Sequence, residues 1–140
     1  MPHPIMYRDD DPYLVRLRTV ALAFPDAIEK VAHGRPTFRC GKIFGMYGGG
    51  TKRTDTAAAR RVDECVLFKP DESDSIALQQ DPRFFVPAYV GAYGWLGLDL
   101  TVADVDWGEV AELPDASFRQ FAPKRAVARL DGGEGPAELS

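Results

Sequence analysis

The sequence predicts an α+β domain, an antiparallel sheet of about five strands with helices packed on one face. Three observations carry this. A stripe of apolar residues at helical spacing opens the chain, short apolar segments separated by glycine turns fill its middle, and a second helical tract closes it.

The first helix starts at Asp9-Asp10-Asp11-Pro12, where acidic groups meet the positive end of the helix dipole and proline occupies the first turn. Leu14, Leu17, Val20, Ala21 and Phe24 then recur on one face. Pro25-Asp26 ends it, because the residue before a proline is pushed out of the α region. Residues 28–33 read as a short strand closed by Gly34 and an Arg35-Pro36 turn. Residues 37–40 and 43–47, joined by Gly41-Lys42, read as a β-hairpin, and the glycine-rich run 48–56 as a flexible loop. Residues 62–69 form the next strand, with Cys65-Val66-Leu67-Phe68 as its apolar centre. Pro70-Asp71 opens a short helix carrying Ile76, Ala77 and Gln80, and Asp81-Pro82 stops it. Residues 84–91 mix strand and turn, and 94–100 alternate as a strand. Residues 105–130 are helical in tendency, interrupted at Pro114 and broken again at Pro123, and 131–140 read as a frayed tail. With no internal repeat and no linker, the 140 residues suit one domain with its core at about 13–130.

Bulk composition excludes several classes. Apolar residues at 45% and charged residues at 27% are ordinary for a globular chain. Two cysteines, Cys40 and Cys65, are too few for a disulfide framework and sit in apolar strand contexts, so they read as buried free thiols. No apolar run resembles a signal peptide or approaches the ~18 residues of a membrane span, which predicts a soluble, cytoplasmic protein with no membrane partner. The net charge of −4 has the wrong sign for nucleic-acid binding through bulk charge. Its distribution is uneven. Residues 35–69 carry eight basic side chains (Arg35, Arg39, Lys42, Lys52, Arg53, Arg60, Arg61, Lys69) against Asp55, Asp63 and Glu64, whereas 70–140 carry five basic and thirteen acidic ones.

The block His33-Gly34-Arg35-Pro36-Thr37-Phe38-Arg39-Cys40-Gly41-Lys42-Ile43-Phe44 resembles the core motif H-G-x-P-x-F-x-v-x-G-K-x-F of MmcQ/YjbR-like proteins. Three further matches follow in order. They are Val66-Leu67-Phe68-Lys69, Pro87-Ala88-Tyr89-Val90-Gly91 leading to Gly94-Trp95, and Ser117-Phe118-Arg119 with Ala122-Pro123-Lys124-Arg125. The resemblance covers about residues 13–130. It implies a fold similar to a double-wing DNA-binding domain, and DNA binding by that structural analogy. The sequence departs from the family where its middle strand ends Phe68-Lys69 in place of Val-Lys, and where the basic, glycine-rich insert at 48–61 is longer.

Two candidate sites follow. In the first, Arg35, Arg39, Lys42 and Lys69 lie on one exposed sheet face and contact phosphates, while Lys52, Arg53, Arg60 and Arg61 extend the contact from a mobile wing. In the second, His33, Phe38, Phe44, Tyr89, Tyr93 and Trp95 line an aromatic cleft for a small molecule. Tyr47 joins Tyr89, Tyr93 and Trp95 as a stacking candidate, with Tyr89 and Tyr93 at the mouth because they flank Gly91. A third reading is a protein–protein adaptor using the sheet or the acidic C-terminal helices. No enzyme chemistry is expected. His33 has only His3 for company, the cysteines lack metal-ligand spacing, and Gly48-Gly49-Gly50-Thr51-Lys52 lacks the spacing of a phosphate loop. Asp104, Asp106 and Glu109 read as helix N-terminal acids. No catalytic residue, metal ligand or cofactor is therefore assigned. The expected partners are DNA or a small molecule, and the sequence leaves the oligomeric state open.

Overall fold

A computed structural model describes residues 4–102 and 105–136 of the chain, so His3 and Asp104 lie outside the described residues. The order of elements is α1 (Pro12–Ala21), β1 (Ile28–Ala32), β2 (Arg35–Cys40), β3 (Lys42–Gly50), β4 (Arg61–Phe68), α2 (Glu72–Gln79), β5 (Phe84–Phe85), a 3-10 turn (Val90–Tyr93), β6 (Leu96–Asp99), α3 (Trp107–Phe121) and α4 (Lys124–Asp131). The architecture is α+β, with an antiparallel sheet of six strands in the order β1-β2-β3-β4-β6-β5. The strand beyond the expected five is the two-residue β5, too short to carry a period in sequence.

Helix α1 begins as expected. The Asp11 carboxylate accepts the Tyr13 N–H at 3.0 Å, and Pro12 fills the first turn. Its stripe of Leu14, Leu17, Val20 and Ala21 is buried, and Phe24 follows it into the core although the helix itself stops at Ala21. The turn between β1 and β2 is His33-Gly34, not Arg35-Pro36. Both residues have positive φ, 53° and 80°, as the tightest right-twisted hairpins require. Gly34 is needed there twice over, since a Cβ would lie 2.1 Å from the Pro4 carbonyl oxygen. Pro36 then sits inside β2 opposite Val31, and the pairing of β2 with β3 begins only at Thr37, so no ladder bond to β3 is lost at the proline.

Pro114 does not interrupt the C-terminal helix. It removes one intrahelical bond, yet α3 runs unbroken through it, with its neighbours Val110, Leu113, Ser117 and Phe118 buried. The break falls at Pro123, which precedes α4. Residues 132–136 are tied back, not frayed: Gly132, Gly133 and Glu134 N–H groups bond to carbonyls of Ala128, Leu130 and Arg129.

The main core lies between the sheet and α1, α3 and α4. Phe24, Phe44 and Phe118 meet there with ring centroids 5.0–5.3 Å apart, beside Phe38, Tyr47, Phe68 and Leu98. A second, smaller core of Val62, Cys65, Leu67 and Trp95 occupies the opposite face. That face is roofed because the sheet curls on itself. The pairing of β3 with β4 shifts register between Tyr47 and Gly49, and Gly48 has φ 83°. The end of β3 thereby reaches the segment that follows the opposite edge strand. Thr51 bridges Pro87, and Ala88 N–H donates to the Gly50 carbonyl at 2.8 Å.

Candidate nucleic-acid interface

The eight basic side chains of residues 35–69 fall into two groups, and the structure separates them by what they already touch. Arg35 is consumed. Its side chain is 13% exposed, and its Nη2 donates to Asp63 Oδ1 at 2.9 Å. The other terminal nitrogen, Nη1, is buried without a partner against Gly48, where a Cβ would sit 2.2 Å from it. Arg61 shares the same carboxylate oxygen at 3.0 Å. Burial alone would push the Asp63 carboxyl up, but the Arg35 and Arg61 donors outweigh it and hold it below the usual carboxylate range. Arg39 is half-buried and donates to the Thr37 hydroxyl at 3.0 Å.

Lys42 is exposed, but it pairs across the hairpin with Cys40, whose side chain belongs to the helix-side core. It therefore does not share a sheet face with Arg39, by the alternation of strand side chains. Lys69 is half-buried with its ammonium 5.8 Å from the Phe121 ring centre. The expected row of four phosphate contacts on one sheet face is thus not formed. Pro123 packs on Gly41, which brings the hairpin turn that carries Lys42 to the start of α4, more than 80 positions away in sequence.

The wing is different. Lys52, Arg53 and Arg60 are exposed, and among the described residues none of them makes an ion pair. Other arginines are held by acids: Arg18 by Asp9 and Glu29, Arg83 by Asp81 and Glu109, Arg119 by Asp115 and Asp131, and Arg129 by Asp26 and Glu134. The neck of the wing is closed. Thr51 N–H donates to the Arg60 carbonyl at 2.8 Å, and Arg60 N–H donates to the Thr51 hydroxyl at 3.0 Å. Part of the expected loop is strand, because β3 continues to Gly50. Within residues 53–59 the loop turns on itself, with Thr54 N–H donating to the Ala57 carbonyl at 2.8 Å.

The six residues of the aromatic cleft do not converge. Phe38 and Phe44 are buried in the helix-side core. Trp95 is in the second core, stacked on Phe121 with a centroid distance of 5.9 Å. His33 is exposed in the β1–β2 turn. Tyr47 is no stacking platform either: it is buried, and its hydroxyl donates to Asp11 Oδ2 at 2.5 Å. Burial, and then the Asp11 carboxylate, raise that phenol well above its usual range, so it stays a proton donor. Both cysteines are free and buried, and burial pushes the Cys65 thiol up to about 12. Among the described residues no group of three His, Cys, Asp or Glu is placed to hold a metal, and no helix is long and apolar enough to cross a membrane.

Tyr89 and Tyr93 do stand at a surface, 92% and 75% exposed. Tyr89 is the centre of a γ-turn with φ 64° and ψ −77°, closed by Val90 N–H donating to the Ala88 carbonyl at 2.8 Å. That conformation is strained for a residue with a side chain, at a cost of about 1–3 kcal/mol. It is anchored on both sides, by the Thr51–Pro87 bridge before it and by Trp95 N–H donating to the Val90 carbonyl after it.

A six-stranded antiparallel sheet backed by helices on one side defines the class, an α+β domain. The YjbR family profile matches residues 22–120, and the chain belongs to the YjbR family. No curated protein and no solved structure matches it.

Proposed function

We propose that this YjbR-family protein is a non-enzymatic, cytoplasmic nucleic-acid-binding protein whose phosphate contacts come from the wing. The observation that carries the reading is a cluster: Lys52, Arg53 and Arg60 are exposed on one loop and make no ion pair among the described residues, in a protein of net charge −4. Unpaired cations on a tethered loop can meet phosphates without first breaking an ion pair, whereas Arg35 and Arg61 would have to leave Asp63. Arg39, Lys42 and Lys69 are secondary contacts in this reading.

The test is fluorescence anisotropy with a mixed-sequence duplex over a range of salt concentrations. Each phosphate contact steepens the slope of log Kobs against log salt by about 0.9. The variant K52A/R53A/R60A is expected to flatten that slope by up to about 2.7. An unchanged slope in the triple variant would sink the assignment of the wing. No binding by the wild type at ~50 mM salt would sink nucleic-acid binding altogether.

A further inference from the structure

We infer that Tyr89 and Tyr93 form a base-stacking ridge, so that the nucleic acid this protein takes is single-stranded. The inference rests on the phosphate-binding role of the wing and adds the strand state of its ligand.

Placement supports it first. The bridge from Thr51 to Pro87 joins the neck of the wing directly to the segment that carries both tyrosines. The bridge is antiparallel and Ala88 N–H donates to the Gly50 carbonyl, so the neck from which Lys52 and Arg60 extend lies alongside the Pro87-Ala88 segment that leads into Tyr89. Lys69 comes up to Gly94, its Cε 3.4 Å from where a Cβ would be, immediately after Tyr93. The basic wing thus leaves the sheet alongside the segment that carries both tyrosines, and one further cation lies at Gly94. A single strand needs both elements, cations for its backbone charge and exposed π-faces for its bases.

Exposure and backbone shape make the same case. A tyrosine 92% exposed on a strained γ-turn gains nothing from burial, and a glycine would hold that φ without strain. Val90, one residue on, packs into the second core and fixes the turn, so the Tyr89 ring is presented by a rigid base. Duplex DNA keeps its base faces stacked on one another and offers them to no exposed ring. Unpaired bases offer both faces.

The experiment compares a fluorescein-labelled 15-nucleotide oligothymidine with a mixed duplex of the same length, at fixed low salt. Variants are Y89A, Y93A, Y89F and the wing variant K52A/R53A/R60A, each checked by circular dichroism. Stacking predicts that Y89A and Y93A each weaken single-strand binding about 5- to 150-fold, as 1–3 kcal/mol per base converts. It also predicts that Y89F retains affinity, that the salt slope is unchanged in all three, and that the tyrosine fluorescence is quenched on binding. If single strand and duplex both bind through the wing while the tyrosine variants behave as wild type, the stacking ridge is overturned and the wing reading stands. If neither ligand binds, both fall together.

Discussion

Asp11 joins the first helix to the sheet with two different hydrogen bonds from one carboxylate, and the pair can be taken apart by substitution. One oxygen caps α1 through the Tyr13 N–H, and the other accepts the hydroxyl of buried Tyr47 on β3. D11A loses the cap, about 1 kcal/mol. It also leaves the Tyr47 hydroxyl, on a residue 1% exposed, with no acceptor, about 1–3 kcal/mol more. The expected total is about 2–4 kcal/mol. Y47F removes the donor but leaves a half-buried carboxylate that water can reach, so about 1.5 kcal/mol is expected. The double variant D11A/Y47F has no orphaned hydroxyl and should lose about 1–2 kcal/mol, little more than the cap. The singles therefore sum to at least 1 kcal/mol more than the double. Urea unfolding followed by far-UV circular dichroism reads all four proteins, with an unchanged m-value as the check that only stability moved. Additivity of the two singles within about 0.5 kcal/mol would refute the reasoning, because it would mean the buried hydroxyl finds another partner.

Two further outcomes follow from groups in or beside the two cores. Asp63 is held below its ordinary pKa by Arg35 and Arg61, so its stabilisation is complete above the unfolded value of about 3.8 and is lost as pH falls through the lower folded value. D63N should flatten the acid limb of stability against pH between about 5 and 3, and should cost about 1–3 kcal/mol at pH 7 by leaving the Arg35 guanidinium without its counter-charge; identical pH profiles would refute this. Cys65 is fully buried with its thiol pushed up to about 12, and burial also raises Cys40, so a thiol reagent at pH 8 should label neither in the native protein and both in denaturant. Fast labelling of one native thiol would show that the core around it opens.

What the sequence revealed followed period and punctuation. The α1 stripe, the hairpin around Gly41 and the strand through Cys65-Val66-Leu67-Phe68 were legible because each is a local pattern. Prolines misled in both directions. Pro36 reads as a turn and lies in a strand, and Pro114 reads as a break and lies in a helix, because pairing register and core packing, both non-local, decide what a missing N–H costs. The site was legible only as a charge count. Nothing local marks Arg35 as the partner of Asp63, 28 positions on, or joins Thr51 to Pro87. Exposure separated the aromatics in the same way: Phe38, Phe44 and Tyr47 went to the core, and Tyr89 and Tyr93 stayed at the surface.

The closed neck at Thr51 and Arg60 also bears on how this protein changes over generations. Because two hydrogen bonds pin the ends together, the chain between them enters and leaves the sheet at one fixed point. Lengthening such a loop adds only slowly to its closure entropy, about 0.6 kcal/mol per doubling. Residues 52–59 are therefore a cassette. Its length and charge can be rewritten, or a foreign peptide spliced in, with the sheet beneath left as it is. Homologous scaffolds could diverge in what they hold while remaining alike in how they fold.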